Sequence, residues 1–238
     1  MVGPMRVSIV LPAHDEEANI RESIEQATRT AERLLAEHEI VVVDDGSADR
    51  TAAIVREIAD RDPRVRLVRH EENRGYGEAL RSGFLAAEMD YIFLTDADLQ
   101  FDMDELELLL PYVGTVDVIA GYRKHRQDPF VRKLCAWGWN LIVRVLFWVP
   151  VRDIDCAFKL FERRILDDIR IGSVGNMVST ELMVRVGRRG ASVVEVPVTH
   201  KPRRAGRSQG ATPKVIARAL VELVRMRREL ASLDGAPR

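Results

Sequence analysis

The sequence predicts an α/β fold with a mostly parallel central sheet flanked by helices. Short apolar runs alternate with segments of helical spacing through the first hundred residues, which is typical of βαβ units. These runs are almost entirely apolar, as expected for strands that helices cover on both faces. The 238 residues, 46% of them hydrophobic, suffice for one core. We therefore expect a single domain over residues 1–230 with C-terminal helical elements, and a disordered tail over 231–238.

The first half of the chain divides into four strands and three helices. Each predicted strand is a run of apolar residues, and each predicted helix carries its apolar residues at helical spacing. The predicted strands are Val7–Leu11, Ile40–Val43, Val65–Arg69 and Tyr91–Leu94, and the predicted helices are Glu16–Ala36, Asp49–Ala59 and Gly77–Ala87.

The pattern is looser after Asp98, but further elements can be predicted. The strands are Val116–Ala120, Phe158–Phe161 and Val193–Val198, and the helices are Phe130–Val149, Thr180–Arg188 and Pro213–Leu230. Pro213 suits the first turn of the last helix. The internal stretch with the most loop-like composition is 201–211, just before that helix.

Charge and cysteine content narrow the function classes. Cys135 and Cys156 are the only cysteines and have no metal-like spacing, which indicates a reducing compartment and no disulfide scaffold. Neither a signal peptide nor an apolar run of about 20 residues is recognisable. Basic residues cluster in 122–152 and again from residue 201 onward, which favours substrate phosphates or an anionic membrane over a merely solvated face. Nucleic acid is not expected, because no basic helix with interleaved aromatics or zinc spacing occurs.

The clearest chemical signal is the pair of carboxylates that ends the fourth strand. Asp96 and Asp98 follow the apolar run Tyr91–Leu94 and are separated by one residue. At the carboxyl end of a parallel strand, side chains leave the core and face a crevice. Two carboxylates there repel each other unless a cation lies between them, and oxygen ligands suit Mg²⁺ or Mn²⁺, which would hold a diphosphate. The pair therefore predicts a metal-dependent enzyme that acts on a nucleotide diphosphate compound.

Acidic residues also follow the first two strands, at the same predicted edge of the sheet. Asp44 and Asp45 come directly after an apolar run, which is costly without a role, so we predict that one of them binds a ligand. Such a carboxylate can accept hydrogen bonds from a nucleobase imide or from ribose hydroxyls. Asp49 is better explained as a helix cap. The segment Asn73–Gly77 is either an anion-stabilising helix start or a plain turn.

Residues 134–151 are the most apolar stretch and are rich in tryptophan. Arg132, Ala136, Asn140 and Arg144 recur every four residues and form a polar-or-small stripe on this helix. Such a helix can lie at a membrane interface, or it can be a core helix with one wet face. The flanking basic residues favour the membrane.

Four motifs together resemble the family 2 glycosyltransferases of GT-A fold. They are Pro-Ala-x-x-Glu-Glu at 12–17, Val-Asp-Asp-Gly-Ser-x-Asp-x-Thr at 43–51, Asn-Arg-Gly-Tyr-Gly at 73–77 and Asp-Ala-Asp-Leu-Gln at 96–100. Within that family the chain is most similar to polyprenyl-phosphate glycosyltransferases of the dolichyl-phosphate mannose and glucose synthase kind. The resemblance extends from about Val7 to Ser208.

The resemblance implies roles for individual side chains. Residues 1–100 would form the nucleotide-binding half and 101–211 the acceptor-binding half. The nucleoside pocket would be lined by Pro12, His14, Glu16 and Asp45, with Asp44 beside them. The metal and the donor diphosphate would be held by Asp96, Asp98 and Gln100. Donor or acceptor phosphate would be bound by Arg123 and Arg132, the sugar would face Asp153, and the loop closing on the diphosphate would contain Arg203 and Ser208.

The resemblance also implies the reaction. We expect a metal-dependent inverting transferase that moves a sugar from a nucleotide-sugar donor, of the GDP-mannose or UDP-glucose type, to a polyprenyl phosphate. A phosphate monoester is mostly ionised at neutral pH and needs no general base. The alternative is a soluble enzyme that glycosylates a sugar or natural-product hydroxyl, which would need Asp153 or Asp155 as a base. For the first reaction we expect a cytoplasmic protein in peripheral contact with the membrane.

Overall fold

A seven-stranded mixed sheet organises the chain in the computed structural model. Its strands lie in the order β3-β2-β1-β4-β6-β5-β7. Their bounds are Arg6–Ala13 (β1), Glu37–Asp44 (β2), Val65–Arg69 (β3), Tyr91–Leu94 (β4), Val118–Arg123 (β5), Lys159–Glu162 (β6) and Val193–Val198 (β7). The structure describes residues 5–124, 130–147, 149, 151–167, 169, 171–173, 175, 177–202 and 221–228, and for 130–136 it describes the backbone alone.

Helices cover both faces of this sheet, as predicted. They are Ile20–Leu34 (α1), Thr51–Ala59 (α2), Tyr76–Ala86 (α3), Phe130–Phe147 (α4), Arg163–Leu166 (α5) and Val178–Arg188 (α6). Two 3₁₀ helices, Met103–Leu108 and Leu110–Tyr112, were not predicted. Residues 221–228 are helical and are the described part of the helix predicted over 213–230. The tail 231–238 lies outside the described residues.

The predicted strands are confirmed with small shifts at their ends. β5 begins at Val118 and continues to Arg123 rather than ending at Ala120, because it pairs in parallel with β7 over its whole length. α1 begins at Ile20 rather than Glu16, since the backbone N–H groups of Asn19 and Ile20 both donate to the Glu16 carbonyl in a preceding turn.

Strand direction brings the ends of distant segments together. β1, β2, β3 and β4 are mutually parallel, and β6 runs antiparallel to both β4 and β5. The carboxyl ends of β1–β5 and β7 therefore meet along one edge, with the amino end of β6 among them. We call this the carboxyl edge. In open α/β sheets, ligands bind in the crevice outside this edge.

Two apolar layers, one on each side of the sheet, fix the edge in place. One contains Ile24 of α1 and Val55 of α2, and the other contains Leu80 of α3 and Leu182 of α6. Near the carboxyl edge, the Phe93 ring of β4 meets the Phe158 ring edge-on at 4.7 Å between centroids. This contact joins β4 to the segment that precedes β6.

Candidate active site

The paired carboxylates predicted after β4 lie at the carboxyl edge. Asp98 is almost fully buried, and its Oδ1 accepts a hydrogen bond from the Gln100 backbone N–H at 3.1 Å. Leu99, which lies between Asp98 and Gln100, has a φ of 59°, and this left-handed conformation closes the tight turn. The Tyr76 hydroxyl donates to Asp96 Oδ1 at 3.0 Å. The turn and the tyrosine thus fix the orientation of both acids.

The charge of a further acid contributes to the electrostatics around Tyr76. Burial, followed by the carboxylates of Asp96, Asp98 and Asp155, raises the pKa of Tyr76 well above its ordinary value. Asp155 therefore lies within electrostatic reach of the same hydroxyl, although it is more than fifty residues further along the chain. Its side chain is exposed, whereas that of Asp153 is buried.

The loops after β1 and β2 are joined by reciprocal hydrogen bonds. His14 Nδ1 lies 2.9 Å from the Asp45 carbonyl, and the Asp15 N–H donates to Ser47 Oγ at 2.9 Å. The Glu16 N–H donates to Thr51 Oγ1 at 2.9 Å. The side chains of His14 and Glu16 remain accessible beside buried Pro12. Their predicted nucleoside contacts stay predictions, but the structure brings these residues to the expected edge.

Asp45 is engaged by protein groups in this structure. Its carboxylate accepts hydrogen bonds from the N–H groups of Arg74 and Gly75 at 2.9 and 2.8 Å, and His70 Nδ1 lies 2.6 Å from Oδ1. These bonds hold the chain that leads into Tyr76. Asp45 therefore organises the segment from which Tyr76 reaches Asp96, and its predicted nucleoside contact stays a prediction.

Asp44 is fully buried one residue earlier. Arg69 Nε lies 3.1 Å from Asp44 Oδ2, an ion-pair distance without the alignment of a hydrogen bond, and Oδ1 accepts from the Ser47 N–H at 3.3 Å. A side chain with no exposed surface offers nothing to a ligand in this conformation. In this structure Asp44 stabilises the loop after β2, and its predicted ligand role stays a prediction.

We expect Gly46→Ala to lower the free energy of unfolding by about 1–3 kcal/mol, because the αL conformation strains any residue with a Cβ. Gly46 has a φ of 68°, and an added Cβ would overlap the backbone of Glu72 and Asn73. Urea unfolding would measure the change. The matched control is Gly138→Ala in α4, where an added Cβ meets nothing within 4 Å. That change should raise stability, so equal effects of the two substitutions would contradict the strain argument.

Arg123 and Asp153, predicted to contact phosphate and sugar, are paired with each other. Arg123 Nε and Nη2 donate to the two carboxylate oxygens of Asp153, each at 2.6 Å, and both side chains are largely buried. Burial opposes the charged guanidinium, but the Asp153 carboxylate outweighs it and raises the pKa of Arg123 above its ordinary value. The structure thus brings the two residues to the site as a closed ion pair, and their predicted substrate contacts stay predictions.

The remaining predicted residues belong to the segments that flank the site. Gln100 Nε2 donates to the Lys201 carbonyl at 3.2 Å, and the Lys201 N–H donates to the Gln100 carbonyl at 2.7 Å. The chain that leads toward Arg203 and Ser208 is thereby joined to the carboxylate segment. Arg203 and Ser208 themselves lie outside the described residues. Arg132 lies on α4, where the structure describes the backbone alone.

Two side chains of the site were not singled out from the sequence. Lys159, the first residue of β6, is 2% exposed and donates from Nζ to the carbonyls of Ile154 and Cys156. Tyr76 belongs to the Asn73–Gly77 motif, whose pattern predicts no role for its side chain. A lysine inside the apolar stretch 157–161 is a usable signal, since a charge is rarely buried there without partners.

The donor set fits a hard divalent cation. Asp96 and Asp98 present carboxylate oxygens from one turn, and Mg²⁺ or Mn²⁺ prefers such ligands. Among the described residues, no group of three or more His, Cys, Asp or Glu side chains converges in a way that could hold a metal. The two aspartates would therefore supply only part of a coordination shell. Ligands from a diphosphate and from water would complete it, as is usual for Mg²⁺.

The sheet and its carboxyl edge define a GT-A-type α/β protein. The mannosyl-3-phosphoglycerate synthase of Rubrobacter xylanophilus superposes with a TM-score of 0.72 at 18% identity, covering 97% of this chain and 75% of that one. The glucosyl-3-phosphoglycerate synthase of Mycobacterium tuberculosis, solved with Mn²⁺, uridine diphosphate and glucosyl-3-phosphoglycerate, gives 0.68 at 22% identity, covering 99% and 82%. At these identities the likeness establishes the fold.

Sequence comparison identifies the family. Residues 8–170 match the Glycosyl transferase family 2 domain, and the chain belongs to that family. It is 32% identical over 209 residues to the glycosyltransferase AglD of Haloferax volcanii, covering 84% of this chain and 34% of AglD. It is 30% identical over 213 residues to the undecaprenyl-phosphate 4-deoxy-4-formamido-L-arabinose transferase of Pectobacterium carotovorum, covering 88% and 64%. The chain thus spans about a third of the length of AglD and less than two thirds of the length of the arabinose transferase.

Proposed function

We propose that this protein transfers a sugar from a nucleotide diphosphate donor, of the GDP-mannose or UDP-glucose type, to a polyprenyl phosphate with inversion at the anomeric carbon. The observation that carries the proposal is the fixed pair Asp96 and Asp98 at the carboxyl edge of a family 2 fold. The acceptor is supported by the undecaprenyl-phosphate transferase among its relatives. The nucleotide donor is supported by the uridine diphosphate bound to a protein of the same fold.

The bond changes in this reaction explain the distribution of charge. An acceptor phosphate oxygen attacks the anomeric carbon, and the bond from that carbon to the diphosphate breaks with its electron pair. Negative charge therefore grows on the leaving nucleoside diphosphate, and a divalent ion, Mg²⁺ or Mn²⁺, would stabilise it as a Lewis acid. Asp96 and Asp98 would hold that ion, and the hydrogen bond from the Tyr76 hydroxyl would keep the Asp96 carboxylate in position to do so.

The contacts around Asp153 support Asp155, rather than the predicted Asp153, as the residue that faces the sugar in this proposal. Asp153 is held by Nε and Nη2 of the Arg123 guanidinium, while the Asp155 side chain is exposed and its charge contributes to the raised pKa of Tyr76. A lipid phosphate is already ionised near neutral pH, so Asp155 would accept hydrogen bonds from the donor sugar rather than a proton from the acceptor. A hydroxyl acceptor would instead make Asp155 the general base.

α4 carries an exposed apolar stripe that suits a membrane. Trp137, Leu141 and Val145 are 64%, 44% and 67% exposed and follow one another at intervals of four residues. They share one face of the helix, and Arg144 is exposed beside them. Opposite them, Val143 is buried in the core. The outward face of α4 is thus mainly apolar, which supports the interfacial position proposed for this helix.

Residues 221–228 pack against α4 and also expose apolar and basic side chains. Arg227 Nη1 donates to the Leu146 carbonyl of α4 at 3.2 Å, and buried Leu223 belongs to the same core cluster as Val143. The outer side of 221–228 exposes Val221 and Val224 together with three arginines. The arginines are Arg225, Arg227 and Arg228.

We assign this combined face to an anionic lipid surface. Apolar side chains between arginines match the boundary between headgroups and acyl chains, and each basic residue near such a surface contributes about 1 kcal/mol. None of the described helices combines the length and apolarity required to cross a bilayer. A polyprenyl phosphate is itself embedded in the membrane, so peripheral contact at the cytoplasmic face would bring the site to its acceptor.

We expect Trp137→Glu or Val145→Glu to weaken binding to vesicles that contain anionic lipid by about tenfold or more, because an apolar contact is lost and a repelled charge is added. Co-sedimentation with vesicles of phosphatidylglycerol and phosphatidylcholine would measure it. Leu85→Glu is the matched control, since Leu85 is 75% exposed on α3 and lies outside this face. If Trp137→Glu and Val145→Glu bind the vesicles as well as Leu85→Glu and the unaltered protein do, the face does not dock on lipid.

The function is tested by a screen of donors against acceptors with Mg²⁺ or Mn²⁺. GDP- and UDP-sugars are offered with and without a short polyprenyl phosphate in detergent, and release of nucleoside diphosphate is measured. Release that depends on the lipid supports the proposal and identifies the donor. Release that is indifferent to the lipid, or that needs a hydroxyl acceptor, favours a soluble family 2 enzyme instead.

A further inference from the structure

The turn Asp153–Cys156 carries Asp155 at its exposed corner. The Cys156 N–H donates to the Asp153 carbonyl at 3.2 Å and closes the turn. The Asp153 side chain is fixed by Arg123, as described above. The only exposed side chain of the four is that of Asp155. The backbone of this turn therefore decides where the Asp155 carboxylate lies.

Lys159 holds this turn from beneath. In the sheet register Lys159 pairs with Leu94 of β4, two residues before Asp96. From there its Nζ donates to the Ile154 carbonyl at 3.1 Å and to the Cys156 carbonyl. Two carbonyls of one short turn thus converge on a single ammonium group, which is buried below the carboxyl edge.

The peptide groups of Ile154 are held from both sides. Its carbonyl accepts from Lys159, and its N–H donates to Asn140 Oδ1 of α4 at 3.1 Å. Both partners are buried side chains from different elements. Most backbone movements of the turn would break one of these two hydrogen bonds and leave a buried polar group without its partner.

The chemistry of a buried ammonium explains why a lysine occupies this position. Burial lowers the pKa of Lys159, while Cys156, Asp153 and Asp155 oppose that shift. Burial, aided by Asp153, raises the pKa of Cys156 to about 12, so its thiol remains neutral. An apolar side chain of similar length would fill the space but would donate nothing to the two carbonyls.

We infer that Lys159 is a positioning residue, which fixes the turn Asp153–Cys156 so that Asp155 faces the donor sugar beside Asp96. The inference rests on the proposed function, since it assigns Lys159 a part in that reaction. Lys159 does not contact the substrate, and its effect on the reaction passes through Asp155.

A double-mutant cycle tests the inference on the full chain. The variants are Lys159→Met, Asp155→Asn and their combination. We expect Lys159→Met to lower kcat by about 10- to 100-fold, because small displacements of positioning groups have such effects. In the Asp155→Asn background, Lys159→Met should lower kcat by less than about twofold, since the carboxylate that Lys159 positions is already altered. Additive effects in the cycle would overturn the inference, as would an unchanged kcat for Lys159→Met.

Matched variants separate positioning from loss of stability. Thr180→Val removes a hydrogen bond from Trp139 of the same α4 helix but leaves the turn alone, so kcat should not change. Lys159→Arg keeps the donors and should restore part of the kcat lost in Lys159→Met. If the Met variant is recovered only as aggregate, Lys159→Gln goes through the same cycle with the same expected coupling. Loss of kcat in Thr180→Val equal to that in the lysine variant would overturn the inference.

The readout also separates this inference from the proposed function. Release of nucleoside diphosphate by the unaltered protein is measured first, with polyprenyl phosphate and without it. No dependence on the lipid overturns the proposed acceptor, and the cycle is then run on hydrolysis of the donor, which still reports on Asp155. Dependence on the lipid with an additive cycle overturns the role of Lys159 alone.

Discussion

Replacing Asp98 by alanine should abolish sugar transfer, with a fall in turnover of at least about 10³-fold, because stabilisation of the leaving diphosphate is worth several kcal/mol. Asp98 and Asp96 are the two carboxylates that the structure fixes at the end of β4. Nucleoside diphosphate release across a titration of Mg²⁺ or Mn²⁺ measures the loss. Direct Mn²⁺ binding by calorimetry should weaken in parallel.

Two further variants make this result specific. Asp98→Asn keeps an oxygen that can accept from the Gln100 N–H, so it removes the charge and preserves the turn. It should lose nearly as much activity as the alanine variant. Glu107→Ala removes an exposed acid that pairs only with Arg33 among its described contacts, and it should keep full activity. Transfer at the unaltered rate in Asp98→Ala would refute the metal assignment.

Breaking the ion pair between Arg123 and Asp153 should be the most destabilising single change near the site. Removal of one partner leaves a buried charge uncompensated, which costs about 3–5 kcal/mol of unfolding free energy. The two side chains are 12% and 8% exposed and are joined by two short hydrogen bonds. Urea unfolding of Arg123→Met and of Asp153→Leu at neutral pH would measure the effect.

The double variant Arg123→Met with Asp153→Leu distinguishes a lost pair from lost packing. In the double variant neither charge of the pair is left buried without its partner, so the double variant should recover most of the stability that each single variant lost. Arg21→Ala serves as the control, because Arg21 and Glu57 form a pair that is 43% exposed on each side and should contribute about 0–1 kcal/mol. If Arg123→Met costs no more than this control, the pair is open in solution, and Arg123 is available for the predicted phosphate contact.

The fold was largely predictable because its signals are local. Apolar runs and helical spacing are properties of adjacent residues, and each predicted strand of the first half lies within the observed bounds or coincides with them. The two 3₁₀ helices were not predictable in this way, since Met103–Leu108 is too short for its buried residues, Met103 and Leu106, to establish a period. The antiparallel direction of β6 depends on pairing with two strands distant in sequence.

The candidate site was predictable wherever a carboxylate follows an apolar run. Asp96 and Asp98 lie at a strand end in the sequence and at the carboxyl edge in the structure. The sequence pattern does not distinguish Asp153 from Asp155, because the two acids lie two residues apart in one short turn. What distinguishes them is the Arg123 side chain, which arrives from another strand and donates two hydrogen bonds to Asp153.

The sequence by itself determined the α/β fold, the family and the edge of the sheet where the chemistry lies. Only the tertiary structure decided which of the acids are buried and which protein groups contact them. It paired Asp153 with Arg123, buried Asp44, placed Lys159 beneath the turn that carries Asp155, and turned the apolar stripe of α4 outward. The physical reason is that burial and hydrogen bonding are properties of groups brought together from distant segments. A pattern of neighbouring residues does not contain that information.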